Sequence, residues 1–386
     1  MLFNSLFKTS NKKRLYADAA ASTPLSARVR DELLRLLELY GNAGALHKEA
    51  VDAKNEIEHA RKKIADAIGA HADEVIFTAS GTEANNLALH RARGHVVTTL
   101  IEHSSVLEPL RNGEASVTEV GVNSEGIVDV EEIKNSITPE TTLVSVQMVN
   151  SEIGTIQPIR EIAKILKGFD RKIMLHVDAS QAPLWIDIKV DALHVDLLTL
   201  DAQKILGPKG VGALYVRRGV ELEPLIRGGG QEKNMRAGTE NTLLMGAFAI
   251  ALKDAQQGTE ERAKKVSEIR NNCFEEIKKL IPDVILNGAT IEGGARVANN
   301  LNISIPGLEA QMAVIALDAE GIAVSTRSAC DVGSDEPSHV IQAIGIAPDL
   351  AGTAIRITFL PDIKMHDTVR IARALEQIAK RYRKVI

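Results

Sequence analysis

The chain has 386 residues, of which 45% are hydrophobic and 25% are charged, values that predict a globular protein of about two domains with a sizeable core. A net charge of −5 and few aromatic residues argue against a nucleic-acid-binding surface and against attraction to an anionic membrane. The two cysteines, Cys273 and Cys330, exclude a disulfide scaffold and a four-cysteine metal or iron–sulfur site.

The N-terminal segment, residues 1–17, carries four basic side chains and no acidic one. This composition fits a short solvated arm or, alternatively, an organelle transit segment. No stretch approaches the roughly 18 apolar residues that span a bilayer. We take the arm as the simpler interpretation and expect a cytoplasmic location.

Between Ala17 and Ala255, short β-branched runs alternate with helical patterns. The predicted strands are Val75–Thr78, Val96–Leu100, Leu143–Val149, Ile173–Val177, Leu197–Leu200 and Val211–Val216. The helical patterns over 57–68, 82–93 and 159–166 each stop shortly before a glycine, a common helix terminator. Strands that alternate with helices favour parallel pairing in a sheet buried on both faces. We therefore expect a large three-layer α/β domain over residues 17–257.

The composition changes near residues 254–261, where a long charged helix is predicted to begin and to run to about residue 281. After it come β-like runs at 284–286, 297–305 and 355–359 and helical patterns at 309–320 and from about 366. This pattern predicts a smaller α+β domain, formed by residues 1–16 and 258–386.

Two residues at predicted strand ends suggest cofactor chemistry. Asp178 follows one strand and Lys204 the next, at the sheet edge where open α/β sheets bind ligands. Taken alone, Asp178 is more simply a helix N-cap, and Lys204 a surface lysine in a Gly/Pro turn. Together they match the needs of pyridoxal phosphate, which requires a lysine for a Schiff base and an acid for its pyridinium nitrogen.

Two glycine-containing loops add possible phosphate contacts. Gly81 and Thr82 lie between a strand and a helix, where backbone N–H groups can hold a phosphate, although Thr82 could simply be an N-cap. The segment 228–241 contains three successive glycines together with Arg236 and Thr239. It is either a phosphate-contacting loop or a flexible linker.

Taken together, these segments resemble the class V pyridoxal phosphate enzymes, specifically cysteine desulfurases of the NifS/IscS type. The resemblance covers nearly the whole chain, to the Arg356 strand. It rests on the order of Glu102-His103, Asn150-Ser-Glu-Ile-Gly154, His176-Val-Asp178-x-x-Gln181, Lys204-x-x-Gly-Pro-Lys-Gly, Gly228-Gly-Gly-Gln-Glu and Arg327-Ser-Ala-Cys330. It implies a pyridoxal phosphate-dependent transferase fold (type I), with pyridoxal 5′-phosphate as the cofactor and L-cysteine as the substrate.

The resemblance also implies roles at the cofactor. Lys204 would bond covalently to it, Asp178 would pair with its pyridinium nitrogen, and Gln181 would bond its phenolic oxygen. His103 would stack on the ring and take part in proton transfer. Further residues would hold the phosphate: Gly81, Thr82, Gln203 and, reaching into the neighbouring subunit of a homodimer, Thr239.

At the substrate, the resemblance implies that Arg356 grips the carboxylate through two-point donor geometry, near Asn150 and Ser151. The Cys330 thiolate would attack the substrate sulfur, giving alanine and a Cys330 persulfide for an iron–sulfur scaffold or another sulfur acceptor. Cys273 lies in a helical pattern and is expected to be a packing residue. The ten histidines show no metal-ligand spacing, and no metal site is predicted.

The sequence departs from the family at several positions. Asp201 and Gln203 replace the usual Ser and His at the phosphate, and Ser151 replaces Asn. A carboxylate beside a phosphate dianion is repulsive, so either Asp201 turns away or cofactor affinity drops. Three other functions therefore remain open: a class V aminotransferase, encouraged by Gln203, a selenocysteine lyase, and a non-catalytic sulfur-assembly scaffold.

Overall fold

The computed structural model describes residues 14–326 and 338–383, so Cys330 lies outside the described residues. The strands are β1 Leu15–Tyr16, β2 Val75–Thr78, β3 His95–Thr99, β4 Ser116–Val120, β5 Thr141–Gln147, β6 Met174–Asp178, β7 Leu197–Asp201, β8 Gly212–Val216, β9 Ile285–Leu286, β10 Asn300–Ser304, β11 Ile322–Ala323 and β12 Ala354–Thr358. The α-helices are α1 Ala27–Leu36, α2 Lys48–Ile68, α3 Gly81–Leu89, α4 Ser104–Arg111, α5 Val130–Asn135, α6 Ile159–Leu166, α7 Val190–Leu193, α8 Thr242–Gln256, α9 Thr259–Leu280, α10 Ala310–Ala319, α11 His339–Ala343, α12 Pro348–Ala351 and α13 Met365–Tyr382.

A seven-stranded sheet in the order β2-β8-β7-β6-β5-β3-β4 forms the centre of the larger part. Strands β4, β3, β5, β6 and β7 are parallel, which confirms the expected mainly parallel α/β architecture. Strand β8 is antiparallel to both β7 and β2, contrary to the expectation of parallel pairing. The reason is local: residues 202–211 contain only a short 3-10 helix, too little for the crossover that a parallel return needs.

Helix α2 shows how the sequence pattern positions these layers. Its buried residues recur every three or four positions and include Ile57, Ala60, Ile64 and Ile68. This spacing places them on one face, which packs against α8. The helix ends at Gly69 in the left-handed conformation (φ 71°), as the sequence predicted.

The second part of the chain contains an antiparallel sheet, β12-β10-β9, with α9 packed against α13. Strand β1 pairs in parallel with β11, which joins the described N-terminus to this part. Cys273 is fully buried in α9, and burial raises the pKa of its thiol, so the thiol stays protonated and unreactive as expected of a packing residue. The division at residues 257 and 258 stays a prediction.

A line of buried polar side chains crosses the four central strands. Thr98 Oγ1 on β3 donates to the Ser145 carbonyl on β5 (2.9 Å), and Ser145 Oγ contacts Nδ1 of His176 on β6 (2.8 Å). His176 Nε2 contacts Thr199 Oγ1 on β7 (3.1 Å). Burial lowers the pKa of His176 to about 4, so its ring is neutral at pH 7. The line therefore consists of uncharged, mutually hydrogen-bonded groups two residues before Asp178.

Within residues 14–326 and 338–383, none of the helices combines the length and apolar character that crossing a bilayer requires.

Candidate active site

A cavity of about 260 Å³ opens at the carboxyl ends of the parallel strands. Ligands of open α/β sheets bind at this edge. The side chains and backbone that line the cavity come from seven separate segments: Ala20 and Ala21; Gly81, Thr82 and Asn85; His103 and Ser105; Gln147, Val149 and Ser151; Asp178, Ser180 and Gln181; Asp201, Gln203 and Lys204; and, from β12, Arg356.

Asp178 lies at the end of β6 with three donors around its carboxylate. The backbone N–H and the hydroxyl of Ser180 donate to Oδ1 (2.9 and 2.6 Å), and Asn85 Nδ2 donates to Oδ2 (2.8 Å). The same Asn85 nitrogen also donates to Ser105 Oγ (2.8 Å). These bonds fix the carboxylate orientation before any ligand arrives.

His103 lies at the N-cap of α4 and lines the cavity. Its Nδ1 accepts a hydrogen bond from the Ser105 backbone N–H (3.1 Å) and lies 2.8 Å from Ser105 Oγ. Because a backbone N–H can only donate, Nδ1 must be the unprotonated nitrogen, and a neutral ring carries its proton on Nε2. The fold thus selects one tautomer of His103.

Glu102, next to His103, is fully buried. Its carboxyl group accepts from Thr99 Oγ1 (2.6 Å) and from the Gln147 backbone N–H (2.8 Å). Burial, with a smaller contribution from Asp178, raises the pKa of Glu102 to about 8. Glu102 is therefore largely protonated at pH 7, which limits the negative charge around Asp178.

Replacing Glu102 by Gln should change how stability depends on pH. The pKa of Glu102 is raised from 4.5 in the unfolded chain to about 8 in the fold, so the folded state keeps a proton that the unfolded state loses. The wild type should therefore lose up to about 1.4 kcal/mol of stability per pH unit across that window, relative to the variant. Urea unfolding of both proteins at successive pH values measures the difference.

The exposed Glu114, whose side chain is 71% accessible, supplies a matched control. Glu114→Gln should leave the pH dependence of unfolding unchanged. Parallel stability curves for the wild type and Glu102→Gln would contradict a protonated Glu102.

Lys204 follows β7 in a 3-10 turn and is half-buried. Its Nζ donates to the carbonyl oxygens of Ala20 (2.9 Å) and Ala21 (2.7 Å), and Gln181 Nε2 donates to the same Ala20 oxygen (2.9 Å). Two neutral acceptors hold the amine at the cavity wall, where a carbonyl ligand would meet it.

The opposite end of the cavity lies at the N-terminus of α3. A side chain on Gly81 would come within 3.0 Å of Ser180 Oγ and 3.1 Å of Asp201 Cβ, so any residue other than glycine would have to displace these side chains. Thr82 and Gln203 line the same end. Asp201 is 7% exposed and lines the cavity as well, so it does not turn away, which was one of the two expected outcomes.

Arg356 is 1% exposed and reaches the cavity from β12. Its Nη2 donates to Asp18 Oδ1 (2.9 Å) and its Nη1 to the Ser151 carbonyl (3.2 Å), while its buried Nε has no partner among the described residues. Ser151 is among the residues that line the cavity, whereas Asn150 is not, so a substrate contact of Asn150 stays a prediction. The Asn150 side chain instead holds its own turn, donating to the Ile101 carbonyl and accepting from two backbone N–H groups.

The loop that carries Thr239 is held by a buried ion pair. Glu232 accepts two hydrogen bonds of 2.7 Å from Arg61 and one of 2.8 Å from the Phe77 backbone N–H. Glu232 and the next two residues have positive φ angles of 45°, 58° and 66°. Thr239 is exposed and lies in a separate surface depression beside Tyr40, outside the cavity of its own chain.

Several cavity residues were not predicted as site residues, among them Asn85, Ser105, Ser180 and Gln147. Asp18, the ion-pair partner of Arg356, was not predicted either. Asn85 lies four residues after Gly81 and hence on the same helix face, a spacing that would have revealed it. Among the described residues, no group of three or more His, Cys, Asp or Glu side chains is placed to hold a metal ion.

Known proteins are similar to this one over nearly the whole chain. The aminotransferase class-V family model matches residues 15–370. "Cysteine desulfurase IscS" of Dictyoglomus turgidum is 40% identical over 385 residues, covering 97% of this chain and 96% of its own. An X-ray structure of a NifS-like protein from Rickettsia africae matches with a TM-score of 0.86 at 32% identity, covering 95% of this chain and 100% of its own. SspA, solved in complex with cysteine, matches with a TM-score of 0.77 at 33% identity, covering 90% and 99%. The chain therefore belongs to the class V aminotransferase family, and within it to the cysteine desulfurases.

Proposed function

We propose that this protein removes sulfur from L-cysteine with the help of pyridoxal phosphate, leaving L-alanine and a persulfide on Cys330. The observation that carries the proposal is the cavity in which Lys204, Asp178, His103 and Arg356 converge from separate segments. The cysteine desulfurase relatives support the same activity.

The cavity fits pyridoxal phosphate. A preoriented carboxylate on Asp178, an amine on Lys204 and a side-chain-free helix N-terminus at Gly81 match its ring nitrogen, its aldehyde and its phosphate. The bound cofactor would supply an electron-accepting ring that stabilises negative charge on the substrate. Gln181 would bond the phenolic oxygen, and Thr82 and Gln203 would join Gly81 at the phosphate.

Arg356 and His103 would act on the substrate. The unpartnered Nε–H of Arg356 is a buried donor that lacks an acceptor, a role that the substrate carboxylate would fill. His103, with its proton on Nε2, would stack on the ring and hold or move a proton at that nitrogen. Ser151 would line the substrate side, with its carbonyl already bound to Arg356.

Cys330 would be the nucleophile. Its thiolate would attack the substrate sulfur, a sulfur–sulfur bond would form as the carbon–sulfur bond breaks, and the carbon would take up a proton to give alanine. The described residues on either side of the 327–337 segment support this role. Ser325 pairs with Arg356, and His339 Nε2 contacts the Glu102 carbonyl (3.1 Å), so both flanks lie beside the cavity. The sulfur would then pass to an iron–sulfur scaffold or another acceptor protein.

Incubating the purified protein with L-cysteine and a reductant tests the function. We expect sulfide and alanine in equal amounts, and no persulfide from Cys330→Ser although that variant still binds the cofactor. A cofactor-loaded protein that releases neither product contradicts the proposal, and a keto acid without sulfide would indicate an aminotransferase instead.

Replacing Arg356 by Lys should weaken substrate binding while keeping the positive charge. Lysine lacks the planar fork that holds Asp18 and Ser151 and still presents a donor to a carboxylate. We expect the KM for L-cysteine to rise by about tenfold or more, since a charge-assisted bond is worth about 1.5–3 kcal/mol. Steady-state kinetics on the cofactor-loaded variant measure this. An unchanged KM would contradict a contact between Arg356 and the substrate carboxylate.

In a homodimer, Thr239 would contact the phosphate of the cofactor bound in the neighbouring subunit. An apolar surface on α1, α2 and the segment between them supports a homodimer. Its large hydrophobic side chains are exposed in the single chain: Leu34 (66%), Leu37 (59%), Tyr40 (80%), Leu46 (98%) and Val51 (46%). Tyr40 shares the surface depression that contains Thr239. We expect Leu37→Glu combined with Leu46→Glu to give a monomer in light scattering, with weaker cofactor binding. A dimer of unchanged stability would contradict this surface.

A further inference from the structure

The phosphate end of the cavity contains a carboxyl group. Asp201 is 7% exposed, and its oxygens lie 3.2 Å from the backbone nitrogen and from the side-chain nitrogen of Gln203. A side chain on Gly81, the first residue of α3, would lie 3.2 Å from Asp201 Oδ2. The Asp201 carboxyl thus stands against the helix N-terminus that would receive the phosphate.

The charges near Asp201 do not offset a second buried anion. In the described part of one chain, the cations that line the cavity are Lys204, which would bond to the cofactor aldehyde, and Arg356, already paired with Asp18. On α3, Glu83 is paired with Arg236 (3.0 Å). Asp178, at the end of β6, adds a carboxylate to the same cavity, and Ser180 just after it is neutral. On β8, the residue paired with Asp201 is the uncharged Gly212.

Two anionic groups that share one buried site do not both stay ionised, and the pair retains a proton instead. Burial already raises the pKa of Asp201 above its usual value, against smaller lowering effects from Gln203, Lys204 and Gly81. An adjacent phosphate raises it further. Protonation removes the repulsion between the Asp201 carboxyl group and the phosphate. The protonated carboxyl group then donates a hydrogen bond to a phosphate oxygen.

We propose that Asp201 is a protonated hydrogen-bond donor to the phosphate of the bound cofactor, so that cofactor binding takes up a proton wherever Asp201 of the free protein is ionised. This inference rests on the proposed function, because it assumes pyridoxal phosphate in the cavity. It assigns Asp201 a donor role at the phosphate, and it makes cofactor retention depend on pH.

The test compares the affinity for pyridoxal phosphate of the wild type, Asp201→Asn and Asp201→Ser between about pH 6 and about pH 9. Asn keeps the shape and a donor but does not titrate. The affinity of the wild type should fall relative to Asp201→Asn by up to about tenfold per pH unit once free Asp201 ionises. Asp201→Ser should follow Asp201→Asn, which gives a second measurement if one variant folds poorly.

Calorimetry in buffers of different ionisation enthalpy adds a readout that does not depend on activity. At alkaline pH the wild type should take up about one proton more per cofactor bound than either variant. If the ratio of wild-type to variant affinities stays constant with pH and all three proteins take up equally many protons, the proposed role of Asp201 is wrong, and the proposed function is unaffected. Failure of the wild type to bind pyridoxal phosphate at any pH would overturn the proposed function itself.

Discussion

Replacing Glu232 by Gln is expected to lower the free energy of unfolding by about 3–5 kcal/mol, the usual cost of breaking a buried ion pair from one side. The side chains of Arg61 and Glu232 are only 6% and 1% exposed. The buried guanidinium would therefore keep its charge with the longer contact to the exposed Glu58 (3.3 Å) in place of two short bonds to a buried carboxylate. Three successive residues with positive φ depend on the same anchor. Denaturant unfolding at fixed protein concentration measures the change.

An exposed ion pair, Arg218 with Asp73, provides the control. Arg218 and Asp73 form a pair at 2.6 Å, but their side chains are 58% and 53% exposed. Because solvent screens such pairs, Asp73→Asn should leave the unfolding curve essentially unchanged. Equal effects of Glu232→Gln and Asp73→Asn would contradict a stabilising role for the buried pair.

Replacing Lys204 by Ala is expected to reduce desulfurase activity by more than about a thousandfold, because the variant loses both the covalent attachment of the cofactor and the nearest amine base. Its absorbance should show pyridoxal phosphate bound without a bond to the protein, or none bound at all. Sulfide release and the absorbance spectrum are the two measurements.

Lys209 supplies the matched control, since it is an exposed lysine in the same turn and does not line the cavity. Lys209→Ala should retain the wild-type spectrum and rate. If Lys204→Ala keeps substantial activity, the covalent attachment lies elsewhere in the chain.

The sequence was sufficient to predict the parts of the fold that depend on local periodicity. The spacing of Ile57, Ala60, Ile64 and Ile68 predicted α2, and Ile159–Leu166 matches α6 as predicted. Strand β4 was not predicted, because Ser116–Val120 is an edge strand with a polar composition and lacks the apolar run of a buried strand. The antiparallel return of β8 was also missed, because strand direction depends on the connection and not on the strand.

In the candidate site, too, local sequence features could be predicted and contacts between distant segments could not. Asp178 and Lys204 were predicted as site residues because each follows a strand, a position that sequence order reveals, and both line the cavity. The pairing of Arg356 with Asp18 and the contact of Asp201 with Gly81 join segments far apart in the chain. For Asn150, the sequence does not show whether the side chain faces a ligand or holds its own turn, and in this structure it holds the turn.

The polar line through Thr98, Ser145, His176 and Thr199 also has a consequence for how the sheet assembles. A strand that slipped by one residue would turn its polar group away from this line and leave the neighbouring groups buried without partners. Each such loss costs about 1–3 kcal/mol, which is a large share of the stability of a typical protein. The line therefore disfavours misaligned pairings of β3, β5, β6 and β7 and so fixes the strand register. In that register, the segments after the strands bring four site residues to the same sheet edge: His103, Ser151, Asp178 and Lys204.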